Sequence, residues 1–305
     1  MRHTSKTQDA YIVSLAVSDF LQGLIGYPAE IRNLATKQMQ ESESAVCRMT
    51  GFTVTFLGLV SINHLVFIMV ERALIISMPF SSLWTAKKYV GTAIFSSWAI
   101  GLVFAFAPLV GWSSYTTEGS KYRCSINWHD PTEIGRRYIY ALFAFQFLLP
   151  LIIIFCCFGI LLYQLKKSNR IFGRFSSTIP SSTTATTSAT NKTTRKNKLS
   201  VRGKWSTMVC FMTTAFIVSW TPYAVVSFIA TNGEESKLPK ALVMGAAITA
   251  KSSTLINPII YSLEYNDFRK KVQRFFRKCL DQYEIKRESS TRNVAIVSAP
   301  KTTSV

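Results

Sequence analysis

The stretch ALVMGAAITAKSSTLINPIIYSL, Ala241 to Leu263, runs 23 residues with a single charge, Lys251, at its centre. A bilayer core of about 30 Å needs roughly 20 apolar residues per helix, so this stretch reads as a membrane span. Outward from it the same signature recurs. Met49–Val70, Tyr89–Trp112, Tyr138–Leu165 and Trp205–Gly233 contain no Asp, Glu, Lys or Arg, and Ala10–Ala29 contains only Asp19. Six spans follow, and an all-α membrane protein. The 48% apolar and 17% charged composition of the 305 residues agrees with that class.

Most of the 35 Lys and Arg residues fall in the N-terminal residues, the Ile75–Lys88 loop, the Gln164–Lys204 loop and the tail. The positive-inside rule makes that side cytoplasmic. The net charge of +19 is therefore a topology signal. Basic residues that flank spans form no compact basic domain, which excludes nucleic acid as a partner. Three pieces are expected: a cytoplasmic N-terminal segment 1–9, a transmembrane bundle 10–263 with a disordered Ser/Thr-rich loop at about 168–200, and a C-terminal segment 264–305. In the last, Phe268, Val272, Phe275, Phe276 and Leu280 recur at helical spacing among six Lys and Arg, which predicts an amphipathic helix on the inner leaflet over Asn266–Gln282. Cys279 within it is a lipidation candidate, or an unmodified thiol.

Ionisable groups inside a membrane cost about 2.5–3.5 kcal/mol at a helix centre on insertion scales, so each one carries a functional hypothesis. Asp19, Glu71, Arg72 and Lys251 are the few present. Lys251 precedes Asn257-Pro258-Ile259-Ile260-Tyr261 by six residues. A mid-helix proline frees a backbone carbonyl, and Asn257 and Asp19 are polar partners for such a defect.

In this order, LAVSD at Leu15–Asp19, Cys47, Glu71-Arg72, Trp98, Pro150, Trp220-Thr221-Pro222-Tyr223, Lys251 and Asn257–Tyr261 resemble rhodopsin-like seven-helix receptors, and opsins within them. The resemblance implies a seven-helix bundle of which six spans are present. Asp19 belongs to the second helix of the pattern, so a first helix is expected upstream of Met1. It further implies retinal, 11-cis or all-trans, bound through Lys251 as a Schiff base; a buried amine is a suitable nucleophile. Phe143, Phe147, Phe216, Trp220 and Tyr223 match positions around the chromophore. Their spacings of 4, 4 and 3 put each set on one helix face.

A charged nitrogen in a low-dielectric site needs a counterion. Three residues after Cys47, where vertebrate visual pigments carry an acid, stands Thr50. Two substitutes remain open. Glu118 lies six residues before Cys124, matching a loop glutamate of opsins. Glu30 lies eleven residues after Asp19, about 20° off the same helical face. Each also reads as a solvated acid at a span end.

Cys156, Cys157 and Cys210 lie in spans and Cys279 is cytoplasmic, which leaves Cys47 and Cys124 to pair outside, as the family pattern has it. The Glu71-Arg72 pair resembles the family's charge lock, with Ala73 in place of the usual aromatic, and with Asp19, Asn257, Pro258 and Tyr261 it would form the switch. The partners implied are a heterotrimeric G protein, an arrestin and receptor kinase acting on the Ser/Thr-rich tail, and membrane lipid, in a plasma or photoreceptor membrane. No metal-binding or hydrolytic motif occurs, so a receptor and not an enzyme is expected. A receptor for a diffusible ligand, with Lys251 incidental, and a retinal photoisomerase stand beside the light-receptor reading.

Overall fold

The computed structural model describes residues 2–39, 41–42, 44–78, 87–118, 122–177, 186–233, 239–264 and the pairs 273–274, 277–278 and 281–282. Eight α-helices carry the described chain: α1 Arg2–Leu21, α2 Pro28–Thr36, α3 Ala45–Ser77, α4 Lys87–Phe106, α5 Glu133–Phe143, α6 Leu149–Ser177, α7 Thr186–Thr231 and α8 Lys240–Glu264. One hairpin, β1 Tyr115–Glu118 and β2 Arg123–Ile126, interrupts them. A π turn, Gln22–Gly26, joins α1 to α2, and a second, Ala144–Leu148, joins α5 to α6. The chain divides into residues 1–260, which hold the bundle and hairpin, and residues 261–305.

Five segments are long and apolar enough to cross a membrane: Asp9–Thr36, Ala45–Ser77, Lys87–Val110, Glu133–Gln164 and Thr207–Thr231. α8 has the length, but Lys251, three serines, Asn257 and Pro258 dilute its apolar character, and Ser253 and Asn257 are buried. The sixth expected span is therefore a helix whose membrane character the composition alone understates.

α3 is the axis of the bundle and touches α1, α4, α6, α7 and both strands. Its start is capped by Ser44, whose hydroxyl accepts from the Cys47 amide at 3.2 Å. Polar side chains stitch its interior to its neighbours, as helices without a hydrophobic driving force between them require. Asn63 donates to Gln146 Oε1 at 3.1 Å, and His64 meets Ser14, whose hydroxyl also accepts from Trp98 Nε1 at 3.0 Å.

Below the hairpin, Tyr115 and Tyr138 pack with Ile126, Ile139 and Leu142. Pro108 cannot donate to the carbonyl of Phe104, and the Tyr138 hydroxyl takes that acceptor at 2.8 Å. The Tyr115 hydroxyl donates to Ala105 O at 2.7 Å, and burial pushes this phenol well above its ordinary range. At the start of α5 the Asp130 carboxylate accepts from Ser113 and Thr132, and a Cβ on Gly135 would fall 2.1 Å from it. Only glycine fits that turn.

Three segments named from the sequence have described residues. α1 begins at Arg2, so residues 2–9 are the first part of a helix; no Pro or Gly lies between Arg2 and Leu21 to stop it. α6 continues to Ser177 and α7 starts at Thr186, so helix occupies both ends of the stretch read as a disordered loop. Residues 187–200 carry neither Pro nor Gly. Of the expected amphipathic helix, Gln273–Arg274, Arg277–Lys278 and Asp281–Gln282 are helical and exposed; Cys279 and the rest of the tail lie outside the described residues.

Candidate functional site

A cavity of about 100 Å³ opens between α3, α7, α8 and the hairpin, with Lys251, Glu118, Trp220 and Tyr223 in its wall. Val54, Leu59, Leu142 and Ala250 supply the apolar lining. The Cys47–Cys124 disulfide joins the start of α3 to β2, Cα to Cα 5.3 Å, and holds the hairpin beside this space.

Lys251 Nζ is ion-paired with Glu30, and lies 5.5 Å from the centroid of the Tyr27 ring. Both acidic candidates thus surround the amine, but they are not equivalent. Glu118 accepts from Arg123 Nε at 3.0 Å, while Glu30 holds the lysine. The continuous helix assumed between Asp19 and Glu30 is absent, since the π turn and Pro28 intervene. Glu30 faces α8 after that break because α2 restarts with Pro28 at its first position, a residue pre-shaped for helix entry.

The aromatic residues divide. Phe216 stacks on Trp220 at 5.4 Å, Trp220 meets Tyr223 edge-on at 6.1 Å, Tyr223 meets Trp128 at 6.0 Å and Trp128 meets Phe143 at 5.8 Å. Trp220 and Tyr223 touch the cavity, whereas Phe143 and Phe216 stand behind its wall. Phe147 is half-buried on the second π turn and is outside this chain of rings among the described residues. The wider π turn offsets the four-residue spacing that would have stacked it beneath Phe143.

Two members of the site were not anticipated. Trp128 donates from Nε1 to the Tyr223 hydroxyl at 3.2 Å. It lies in the turn two residues past the end of β2, where strand alternation no longer applies, so no sequence pattern marked it. Arg123 stands directly opposite Glu118 in the hairpin register and also reaches Val243 O at 3.4 Å. An acid and a base facing each other across a short turn are the usual sign of a cross-strand pair.

Away from the cavity, Trp220 Nε1 donates to Ser253 Oγ at 2.9 Å, and its ring rests on Gly58, where a Cβ would come within 3.1 Å. Asp19 accepts from Ser61 at 3.0 Å and from Asn257 at 3.3 Å, so α1, α3 and α8 meet on one buried carboxylate. At the far end of α3, Arg72 donates to Glu71 at 2.6 Å, both side chains almost wholly buried. Pro258 sits inside α8, as Pro222 sits inside α7; the Tyr261 side chain lies outside the description.

Residues 1–261 match the 7 transmembrane receptor (rhodopsin family). The chain belongs to this family. It is an opsin-like receptor and a multi-pass membrane protein. Melanopsin-A of Gadus morhua is 28% identical to it over 261 residues, covering 85% of this chain and 45% of that protein. The GQ-coupled rhodopsin of Mizuhopecten yessoensis is 30% identical over 264 residues, 85% and 51%. The visual pigment-like receptor peropsin of Homo sapiens is 29% identical over 273 residues, 88% and 74%. The receptor thus spans about half the length of the melanopsin and the GQ-coupled rhodopsin. The crystal structure of squid rhodopsin superposes with a TM-score of 0.76 at 24% identity, over 90% of this chain and 76% of that one, which establishes the shared fold.

Proposed function

We propose that this receptor senses light through retinal held on Lys251 and passes the signal to a heterotrimeric G protein. One observation carries the reading: the amine of the last span faces an aromatic-walled cavity and already has a carboxylate as its partner. The donor set suits retinal, since a primary amine, an acid and a mostly apolar wall are what a conjugated aldehyde needs for attachment, charge balance and exclusion of water. When bound, retinal supplies light absorption and a change of shape.

The chain's own residues do the rest. Glu30 balances positive charge on the Lys251 nitrogen, which would otherwise be costly in this setting. Trp220, backed by Phe216 and tied to Ser253, fills the space between the cavity and the Asp19–Ser61–Asn257 cluster. Displacing its ring strains the α7–α8 contact at the level of Pro222. The hydrogen bonds that Asp19 accepts couple α1 and α3 to α8, and the Glu71–Arg72 pair closes the cytoplasmic end until Arg72 is released. The names of the relatives, melanopsin and GQ-coupled rhodopsin among them, support both halves of the reading.

The test is reconstitution of the full-length receptor with 11-cis-retinal, with spectra before and after illumination. A band distinct from free retinal, changed by light and missing in Lys251→Ala, is expected. Light-dependent nucleotide exchange on a G protein is expected beside it. A wild-type spectrum equal to free retinal overturns the reading.

A further inference from the structure

We propose that Arg123 decides which carboxylate serves the Lys251 nitrogen: by holding Glu118 across the hairpin, it leaves Glu30 as the counterion. The inference rests on the retinal reading above and adds to it a positioning residue.

The charges around the amine come in two acid–base pairs. Glu30 and Tyr27 face Lys251 from the first helical run, Glu118 from β1, Arg123 from β2 and Tyr223 from α7. Glu118 and Lys251 border the same cavity. What separates them is competition. Glu118 is bonded to Arg123 Nε at 3.0 Å, with side chains only 10% and 5% exposed, so the pair is nearly dry and water screens it little.

Arg123 is also held from several sides. Register sets it opposite Glu118, its neighbour Cys124 is covalently tied to Cys47, and its Nη2 donates to Val243 O near the start of α8. A guanidinium so anchored holds its planar fork of donors in place, so Glu118 stays occupied beside Lys251. The amine is left to Glu30, a residue 221 positions away in sequence. Without Arg123, one cation would face two acids, and Glu118 would be free to act on the Lys251 nitrogen.

The inference is tested by titrating the visible band of the retinal-loaded receptor upward in pH and reading the pH of half-loss. An opposite charge within contact range moves such a midpoint by about 1–3 units. Glu30→Gln is expected to lower it by about that much, and Glu118→Gln to leave it near wild type. Adding Arg123→Gln to Glu30→Gln is expected to recover at least half of the loss, because Glu118 then replaces the missing acid. Arg123→Lys, which keeps the charge, is expected to track wild type. A double variant that titrates with Glu30→Gln alone, or a Glu118→Gln drop as large as that of Glu30→Gln, overturns the proposal.

A ligand-free measurement separates this from the retinal reading. In the empty receptor, Arg123→Gln is expected to lower the melting midpoint by stranding a buried carboxylate, and Glu118→Gln added to it to restore most of the loss. Absence of restoration defeats the pair as a unit even where a pigment forms. A missing pigment with normal restoration defeats the retinal reading, and the assignment of Glu30 with it, while leaving the pair itself in place.

Discussion

The two ends of α3 carry charge in opposite ways. At its cytoplasmic end Glu71 and Arg72 are neighbours in sequence, almost completely buried, and bonded at 2.6 Å. Some 17 to 21 residues earlier on the same helix, about 25–32 Å at 1.5 Å per residue, two acids and two bases are brought together beside Thr50 and Val54 from α2, β1, β2 and α8. The inner pair is set by neighbours within a single helix. The outer set has alternatives, since either acid faces the lysine and only the competing arginine distinguishes them. A pair within one helix is altered only through its own members; a set drawn from four elements lets the environment of one nitrogen be tuned by single substitutions.

The sharpest way to break the contrast is Arg72→Met. It strands Glu71 in a dry site, and a loss of about 3–5 kcal/mol is expected, read as a lower melting midpoint and largely reversed by adding Glu71→Gln. A small loss would mean that the inner pair is as open as the outer one. Glu30→Gln should cost less, about 1–2 kcal/mol in the ligand-free receptor, because both partners there are 22–23% exposed and water moderates the loss. A cost equal to that of Arg72→Met would erase the distinction between the two ends. Smallest is Glu133→Gln. Its partner Arg137 is one turn along α5, both side chains are about three-quarters exposed, and a change of about 0.5 kcal/mol or less is expected in the same melting assay.

What was legible before the structure follows range. Spans were legible because a bilayer imposes a length and an apolar composition on any helix that crosses it. α8 was legible for a second reason, the one charge at its centre. The Glu71–Arg72 pair was legible because its members are adjacent. Phe143 and Phe147 were less so: a spacing of four means one face only in a regular α-helix, and the Ala144–Leu148 π turn changes that geometry. Trp128 was not legible, because it sits in the turn beyond the four-residue strand β2, where no periodicity marks its direction. The helix through Thr186–Ser200 ran against composition, since Ser/Thr-rich sequence disfavours helix without forbidding it.

The sequence alone determined that this is a membrane bundle with a lysine in its last span, two cysteines outside the spans and an adjacent acid–base pair near the end of another span. Those properties depend on residue type and local order. Only the tertiary structure decided that Glu30 and not Glu118 touches Lys251, that Arg123 occupies the second acid, and that Trp220 rests on Gly58 while reaching Ser253. The reason is physical. An ion pair is set within a few ångströms, and residues separated by as many as 221 positions reach that range only after the helices have packed.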